Sequence, residues 1–335
     1  MTSKERVART LKHEAVDRAP RELWSLPGVH MFQQEAYQRV IQQYPSDFAV
    51  PPYSYGPALR ARGEGCVVGE YTDAWGCIWR VGEPGVVGEI KDPILKTVGD
   101  IESYLLPHEL LDGMDLSRVD AFCVASQSFT KVGSETRPFE RLQFLLGTEQ
   151  AMMNLALGDE PTLGLLEKLH QFYCRELEML ANTALDGVSF MDDWGSQNSL
   201  LISPAMWRAL FKPLYRDYCD ILHAAGKFTF FHSDGNIEDI YPDLIEIGVD
   251  AVNSQLFCMD IERLGREYAG HITFWGEIDR QHVMTFGTPE DVRTAVRRVR
   301  TALDQGKGGV IAQCEWGNDT PEENVAAVYS EWLKP

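Results

Sequence analysis

The side chains best suited to chemistry in this sequence follow a short run of β-prone residues. Residues 228–231 predict a buried strand, and His232 and Asp234 come directly after it, one residue apart, before Gly235. Histidine and aspartate both bind metal ions and both transfer protons, so this strand end is a candidate active site. An equally good interpretation of the segment taken alone is that Asp234 only caps a turn or a helix, as Asp before Gly often does.

The same pattern of a strand, a polar end and a helix recurs along most of the chain. Such alternation predicts a parallel sheet with right-handed crossovers. With eight strands it predicts a (β/α)8 TIM barrel, in which functional groups lie at the C-terminal ends of the strands. An open doubly wound sheet is the alternative, but no Gly-rich phosphate-binding fingerprint follows any predicted strand. The predicted strands are residues 21–26, 122–125, 130–132, 187–191, 228–231, 250–252, 271–275 and 308–312.

Polar or ionisable residues follow these strands and form the predicted site. The paired Asp192 and Asp193 can tune each other's pKa for proton transfer or hold a cation beside Trp194; alternatively, one is exposed and the other caps a helix. Glu277 is a candidate base or metal ligand, unless it only pairs with Arg280. We therefore predict catalytic roles for Asp192, Asp193 and Glu277, and substrate contacts from Gln127, Trp194, Asn253, Gln255 and Tyr53.

Residues 27–118 are the least regular part of the sequence, and we interpret them as an insertion after the first strand. Residues 50–90 are rich in Tyr, Trp and Pro, including Tyr53 and Trp75. Such a segment can exclude water from an active site, so we expect it to cover the barrel mouth rather than the bottom. The chain of 335 residues is long for one domain, but barrels accept insertions, and we expect a single domain.

The charge and the cysteine content exclude several classes of partner and site. Fifty acidic against 31 basic residues give a formal net charge of −19, which argues against nucleic acid and anionic membrane surfaces. The N-terminal residues lack the apolar core of a signal peptide, and no apolar run approaches the length of a membrane span. The 7 scattered cysteines without a CxxC pair argue against a disulfide framework, so we expect a cytoplasmic protein.

Several segments along essentially the whole chain carry a family resemblance when they are taken together. They are SKERVARTLKHEAVDRAPRELW, YTDAWGCIW, MDDWGS, LISPAMWRALFKPLYR, FFHSDGNIEDIYPDLIEIGVDAVN, FWGEIDRQ and GGVIAQCEWG. With these segments the sequence resembles the uroporphyrinogen decarboxylase superfamily, which implies a TIM barrel with one of two chemistries. One branch decarboxylates the acetate groups of porphyrinogens. The other moves methyl groups between a small compound and a corrinoid-carrying protein, usually with zinc.

The methyltransferase branch fits this sequence better than the decarboxylase branch. The decarboxylases hold substrate carboxylates with an arginine-rich segment after the first strand, but residues 24–34 here, WSLPGVHMFQQ, contain no arginine. A substrate with many carboxylates would also meet a chain of net charge −19. The resemblance therefore implies a methyltransferase acting on an O-, N- or S-methyl compound. The alternatives are a uroporphyrinogen decarboxylase-like decarboxylase and a barrel that binds a small ligand without methyl transfer.

The methyltransferase branch typically binds zinc through a His-x-Cys pair after one strand and a cysteine after the last strand. The resemblance therefore implies a metal site formed by His232, Asp234 and Cys314, with Asp234 standing where the family has cysteine. Zinc accepts nitrogen, thiolate and carboxylate ligands, so the exchange is chemically acceptable. The alternative for Cys314 is a buried, inert cysteine. The Asp-x-His-x-x-Gly form of corrinoid-binding proteins is absent from this sequence, so cobalamin would arrive on a separate partner protein.

Overall fold

Eight parallel strands form the central sheet of the structure, a computed structural model that describes residues 1–334. The strands of this sheet are β1 (Arg21–Ser25), β2 (Phe48–Ala49), β6 (Phe129–Gly133), β7 (Gly187–Met191), β8 (Phe228–Ser233), β9 (Ala251–Ser254), β10 (Thr273–Trp275) and β11 (Val310–Trp316). They lie in the order β1-β11-β10-β9-β8-β7-β6-β2, and each hydrogen-bonded pair is parallel. A nearly closed parallel sheet surrounded by helices is a (β/α)8 TIM barrel, so the predicted fold is confirmed.

Helices and one small sheet make up most of the remaining chain. Strands β3 (Gly69–Thr72), β4 (Ile78–Val81) and β5 (Glu89–Ile90) form a separate antiparallel sheet. No helix within residues 1–334 is both long enough and apolar enough to cross a membrane. The helices of this range are α1 (Ser3–Leu11), α2 (Pro27–Phe32), α3 (Gln34–Gln43), α4 (Val98–Ser103), α5 (Glu109–Asp112), α6 (Val119–Ala125), α7 (Pro138–Leu146), α8 (Thr148–Leu157), α9 (Glu160–Ala181), α10 (Pro204–Leu210), α11 (Lys212–Ala224), α12 (Tyr241–Glu246), α13 (Ile261–Tyr268), α14 (Val283–Phe286), α15 (Pro289–Leu303) and α16 (Glu322–Trp332).

The prediction of a strand at residues 122–125 is wrong, because this segment is the end of α6. Only Val119 and Cys123 of α6 are buried, and their spacing is that of one helical face. The barrel strand that the sequence analysis missed is β2, which lies inside the predicted insertion 27–118 and pairs with β6. With only 2 residues, β2 is too short for an alternating pattern to be recognised.

Side chains on each barrel strand point alternately into the barrel and toward the helices. Phe230, Trp275 and Ile311 belong to the apolar cluster that fills the interior. Helix α1 adds Val7 and Leu11 to this cluster, and its last turn accepts a hydrogen bond from the residue before β11. The N-terminal end of the barrel is therefore closed by α1, and the open mouth lies at the other end.

An ion pair between the buried Lys131 and the partly buried Glu22 crosses the interior above this apolar layer, where three strands approach one another. Lys131 lies two residues after Phe129 on β6, so both side chains point into the barrel. The Nζ of Lys131 lies 3.1 Å from Glu22 Oε1 on β1. The same Nζ lies 4.0 Å from the centre of the Trp275 ring on β10. Trp275 in turn donates its indole hydrogen bond to Glu22 at 2.6 Å. The apolar floor of the barrel is thus separated from the mouth by one cross-barrel polar contact.

The predicted lid lies at the C-terminal end of the barrel strands. Tyr53 donates a hydrogen bond of 3.0 Å to the carbonyl of Gly133, the last residue of β6. Trp75 donates a hydrogen bond of 3.3 Å to Glu135, just beyond the same strand end. These contacts place the segment 50–90 on the mouth side of the barrel rather than at the bottom.

Asp47, directly before β2, is the polar centre of the opposite end. Its fully buried carboxylate accepts hydrogen bonds of 2.7 to 2.9 Å from Ser3, Arg6, Arg18 and the backbone N–H of Arg21. Burial opposes ionisation of this group, but these bonds hold the pKa of Asp47 below its ordinary value. One carboxylate therefore joins α1, the start of β1 and the start of β2.

Replacing Asp47 by Ala should destabilise the protein by about 3–5 kcal/mol, because Arg6 and Arg18 lose their shared carboxylate. Since the folded-state pKa is lowered, Asp47 contributes stability above the pKa of the unfolded chain, and this contribution is lost as the pH falls through the folded-state value. Urea unfolding of Asp47→Ala at neutral and acidic pH measures both effects. The control is Asp319→Ala, at an exposed position. If Asp47→Ala lowered the free energy of unfolding by no more than Asp319→Ala does, this role of Asp47 would be contradicted.

Candidate functional site

Three side chains at the barrel mouth converge on one point. Asp193 follows β7, and His232 and Asp234 lie at the end of β8. His232 Nε2 is 3.6 Å from Asp193 Oδ1 and 3.5 Å from Asp234 Oδ1. Two ligands of a tetrahedral zinc ion lie about 3.3 Å apart when the metal–ligand bonds are about 2 Å long. The observed spacing therefore suits a metal ion, whereas it is too long for direct hydrogen bonds.

Backbone contacts between two loops hold this cluster together. The N–H of Asp234 donates to Asp193 Oδ1 at 2.8 Å, and the N–H of Gly195 donates to the Asp234 carbonyl at 3.0 Å. Gly235 has a φ of +77°, and a Cβ added to it would lie 2.2 Å from the backbone of Gly195. A larger residue at position 235 would push the loops apart, so the glycine after Asp234 is required by this close approach.

Asn253, on β9, decides which nitrogen of His232 faces the two carboxylates. The amide NH2 of Asn253 donates to the carbonyl of Trp275, which can only accept, and to Gln313 Oε1 at 3.1 Å. The amide oxygen therefore faces His232 Nδ1 at 2.7 Å and accepts the proton of that nitrogen. In the neutral ring, Nε2 is then the unprotonated nitrogen and points at the carboxylates. This is the arrangement that a metal-binding histidine needs.

One oxygen of the cluster has no hydrogen-bond partner among residues 1–334. Asp234 Oδ1 is buried and unpaired, while Oδ2 binds Arg280. Arg280 also lies 2.9 Å from Glu315 and 3.8 Å from Glu277, so one guanidinium serves three carboxylates. Burial, with a further contribution from Asp234, raises the pKa of Asp193. A divalent cation would satisfy the unpaired oxygen and offset the excess negative charge, so the residues present fit a metal ion.

Glu277 and Gln255 lie beside this cluster rather than in it. Glu277 follows β10, and burial raises its pKa well above the ordinary value, an effect that Arg280 opposes. Gln255 Oε1 accepts a hydrogen bond of 2.9 Å from the N–H of Gly235 and so braces the Asp234 loop. Of the other predicted substrate contacts, Asn253 supports His232, and Tyr53 lies at the rim next to β6.

Asp192 and Trp194 do not reach the cluster, because the alternation along β7 directs Asp192 outward. The Asp192 carboxylate accepts hydrogen bonds of 2.7 Å from the backbone N–H groups of Phe139 and Glu140 at the start of α7, and one of 2.6 Å from Tyr215. Trp194 is fully buried and stacks on Phe139 with ring centres 4.1 Å apart. The structure therefore corrects the predicted catalytic role of Asp192 to helix capping, and the predicted substrate contact of Trp194 to core packing.

Cys314 and Gln127 are also placed away from the cluster. Gln313 faces the barrel interior, so Cys314, the next residue on β11, points outward. Its Sγ lies 3.7 Å from the hydroxyl of Tyr329 on α16, and burial raises the pKa of the thiol to about 12. Gln127 precedes β6, and its carbonyl binds the N–H of Lys4 at the barrel bottom. These positions remove Cys314 from the metal ligands and Gln127 from the substrate contacts.

Two features of the mouth were missed by the sequence analysis. Glu315 reaches the mouth and binds Arg280, and Asp193 lies among the candidate metal ligands rather than in a proton-transfer pair. For Glu315 the available signal was the alternation of β11, since Glu315 lies two residues beyond the inward Gln313. For Asp193 the sequence held no comparable signal, because two aspartates follow the strand in succession.

Comparison with known proteins identifies the family. The model of the uroporphyrinogen decarboxylase (URO-D) family matches residues 74–332, which is most of the chain. The chain belongs to the URO-D family. The resemblance noted from the sequence segments is thereby confirmed.

Two methyltransferases are among the proteins similar to this chain. The methylcobamide:CoM methyltransferase MtbA of Methanosarcina acetivorans is 23% identical, and the protein of the same name from Methanosarcina mazei is 22% identical. Both matches cover 97% of this chain and 95% of the relative. Among solved structures, a methyltransferase from Methanosarcina mazei has a TM-score of 0.72 at 15% identity, covering 99% of this chain and 98% of the other. At that identity the structural likeness shows a shared fold.

We predict that the protein binds divalent metal through Asp193, His232 and Asp234 and without Cys314. Equilibrium dialysis against zinc, followed by metal analysis, should give about one ion per chain for the wild type. His232→Ala and Asp193→Asn each remove a ligand and should weaken binding by at least about 10-fold. Cys314→Ala should bind like the wild type, because its thiol faces α16. Loss of zinc in Cys314→Ala, or unchanged affinity in His232→Ala, would show that this ligand set is wrong.

The orienting role of Asn253 gives a separate prediction. Asn253→Leu removes the acceptor for His232 Nδ1, so zinc affinity should fall by about 10–100-fold. Asn253→Asp keeps an acceptor at the same distance and should retain most of the affinity. The same dialysis measures both variants, with thermal melting to confirm that each is folded. Equal losses in the two variants would argue against an orienting role.

Proposed function

We propose that the protein is a methyltransferase that moves a methyl group between a small methylated compound and a corrinoid carried by a separate protein. The observation that carries the proposal is the similarity, over 97% of the chain, to two proteins named as methylcobamide:CoM methyltransferases. The cluster of Asp193, His232 and Asp234 at the mouth adds independent support, since it fits a metal ion. The sequence has no corrinoid-binding motif of the Asp-x-His-x-x-Gly form, which supports a separate carrier.

The residues at the mouth have distinct tasks in this reaction. Asp193, His232 and Asp234 would hold a divalent ion, which supplies Lewis-acid stabilisation to the heteroatom that exchanges the methyl group. Asn253 keeps His232 Nε2 free of a proton, and Arg280 fixes the carboxylate of Asp234. The insertion beside the mouth helps to exclude water from the reacting groups.

The ligand set favours oxygen or nitrogen compounds over thiols. One imidazole and two carboxylates are harder ligands than the thiolates that the family resemblance implied, and they leave the ion more electrophilic. We therefore propose an O- or N-methyl compound as the substrate, with zinc as the first candidate ion. Manganese also accepts these ligands, and the dialysis described above, repeated against manganese, compares the affinities for the two ions.

A uroporphyrinogen decarboxylase activity has little support at this mouth. Helix α2 occupies the place of the arginine-rich segment and contains no arginine. Arg280 is already bound to Asp234 and Glu315, with Glu277 nearby. A polycarboxylate substrate would have to displace these groups, at the cost of leaving them buried without a counter-ion.

Methyl transfer can be tested with the zinc-loaded protein and free cobalamin that has been chemically reduced to cob(I)alamin, which accepts the methyl group as methylcob(III)alamin while the demethylated heteroatom takes up a proton. Cobalamin absorbance should report methyl transfer with at least one member of a panel of O-, N- and S-methyl compounds. His232→Ala and Asp193→Asn should slow the transfer by about 100-fold or more, because the Lewis acid is lost. Cys314→Ala should keep the wild-type rate.

Three outcomes would contradict the proposal in different ways. Formation of coproporphyrinogen from uroporphyrinogen would favour decarboxylation. Wild-type transfer by His232→Ala would separate the reaction from the metal cluster. Tight binding of a methyl compound with no transfer to cobalamin, free or carried by a corrinoid protein, would favour a barrel that only binds a small ligand.

A further inference from the structure

Lys131 carries a buried amine to which neither the metal cluster nor the proposed methyl transfer gives a task. Its side chain points into the barrel from β6, and the residue is 7% exposed. Within residues 1–334, Glu22 is the one carboxylate paired with its ammonium group, at 3.1 Å. An ammonium group has three N–H donors, so this single carboxylate leaves donors of Lys131 without an anionic partner.

Three aromatic rings also surround the amine of Lys131. The Nζ atom lies 4.0 Å from the centre of the Trp275 ring, 5.1 Å from that of Phe230 and 5.4 Å from that of Phe48. These rings keep water away from the amine, and burial lowers the pKa of Lys131, an effect that Glu22 opposes. A desolvated lysine that gives up its proton more readily than usual can act as a nucleophile near neutral pH.

The barrel interior above Lys131 is open toward the mouth. Gly133, two residues after Lys131 on β6, is the next position on the same face, and it is exposed. A Cβ added to Gly133 would meet only Ser189 Oγ within 4 Å, at 3.8 Å. The side chains of Lys131 and Glu22 themselves retain 8% and 12% of their exposure. Since α1 closes the other end of the barrel, a small molecule reaches the amine from the mouth.

The surroundings of the amine favour an uncharged carbonyl compound as its ligand. An anion would have to displace Glu22 from the ammonium group, and a second cation would meet the positive charge of Lys131. The aromatic walls favour a compact apolar body. A carbonyl carbon is the electrophile that a free lysine amine attacks, and its oxygen can accept protons from the groups beside it.

We propose that Lys131 binds a small aldehyde or ketone as a Schiff base inside the barrel. Glu22 takes one proton from the ammonium group, the free amine adds to the carbonyl carbon, and a nitrogen proton moves to the carbonyl oxygen to give a carbinolamine. Glu22 then returns its proton to the carbinolamine hydroxyl, which leaves as water while the C=N bond forms. The product is an iminium ion whose positive charge stays beside the Glu22 carboxylate. This binding is independent of methyl transfer.

Reductive trapping measures Schiff-base formation at each lysine. The full-length protein, without added metal or corrinoid, is treated at neutral pH with acetaldehyde and sodium cyanoborohydride, which reduces the iminium ion to a stable N-ethyl amine. Peptide mass spectrometry then gives the modification rate of each lysine. Lys131 should be modified at least about 10-fold faster than the exposed Lys12, because its lowered pKa leaves a larger fraction of free amine.

Gly133→Leu tests the path to the amine without changing the amine itself. A leucine at this position fills the space above Lys131, so modification of Lys131 should fall at least about 10-fold while that of Lys12 stays the same. The matched control is Gly164→Leu, at an exposed position of α9 where an added Cβ meets nothing within 4 Å. This variant should be modified like the wild type. Thermal melting checks that both variants are folded.

Modification of Lys131 no faster than that of Lys12 in the wild type would overturn the proposal. An unchanged rate at Lys131 in a folded Gly133→Leu variant would overturn it as well, since the carbonyl compound would then not bind in the space above the amine. Neither measurement uses a metal ion or a corrinoid. Failure here is therefore separate from failure of the methyl-transfer assay.

Discussion

The alternation of side chains along parallel barrel strands decides which polar residues share the mouth. Successive side chains point to opposite faces, so a shift of one residue moves a group from the barrel axis to the helix layer. His232 lies two residues beyond the inward Phe230 and so reaches the mouth. Cys314 lies one residue beyond the inward Gln313 and packs on α16 instead. A metal site on this barrel can therefore use only every second residue of each strand.

The strongest patterns of the sequence predicted the barrel and the strand end that carries His232 and Asp234. The apolar run at residues 228–231 is long enough to identify a strand, and residues two apart beyond it face the same side. The prediction failed where it depended on which of two successive residues points into the barrel. In MDDWGS nothing local shows whether Asp192 or Asp193 points inward, because the answer depends on the N-terminus of α7, which Asp192 caps from a distant part of the chain. Short apolar runs such as residues 122–125 fit a helix or a strand equally well.

The polar groups at the mouth act as a connected set rather than as single ligands. Asn253 orients His232, Gln255 braces the Asp234 loop, and Arg280 binds the second oxygen of Asp234. Supporting groups of this kind tune a metal site almost as strongly as the ligands themselves. The chain thus presents candidate metal ligands at the strand ends of a URO-D barrel, and in a fold shared by many proteins the side chains of the site decide the chemistry.

Trp24 provides an optical signal at the centre of the mouth. Its ring lies 5.2 Å from the ring of His232 and 4.9 Å from that of Trp275, in edge contact with both. An imidazole that gains positive charge, by coordination or by protonation, withdraws electron density from an adjacent excited indole and quenches its emission. Coordination or protonation of His232 should therefore alter the intrinsic fluorescence of the protein. The emission of Trp24 thus serves as an intrinsic probe of His232. The difference between the emission spectra of the wild type and Trp24→Phe separates this signal from that of the other tryptophans.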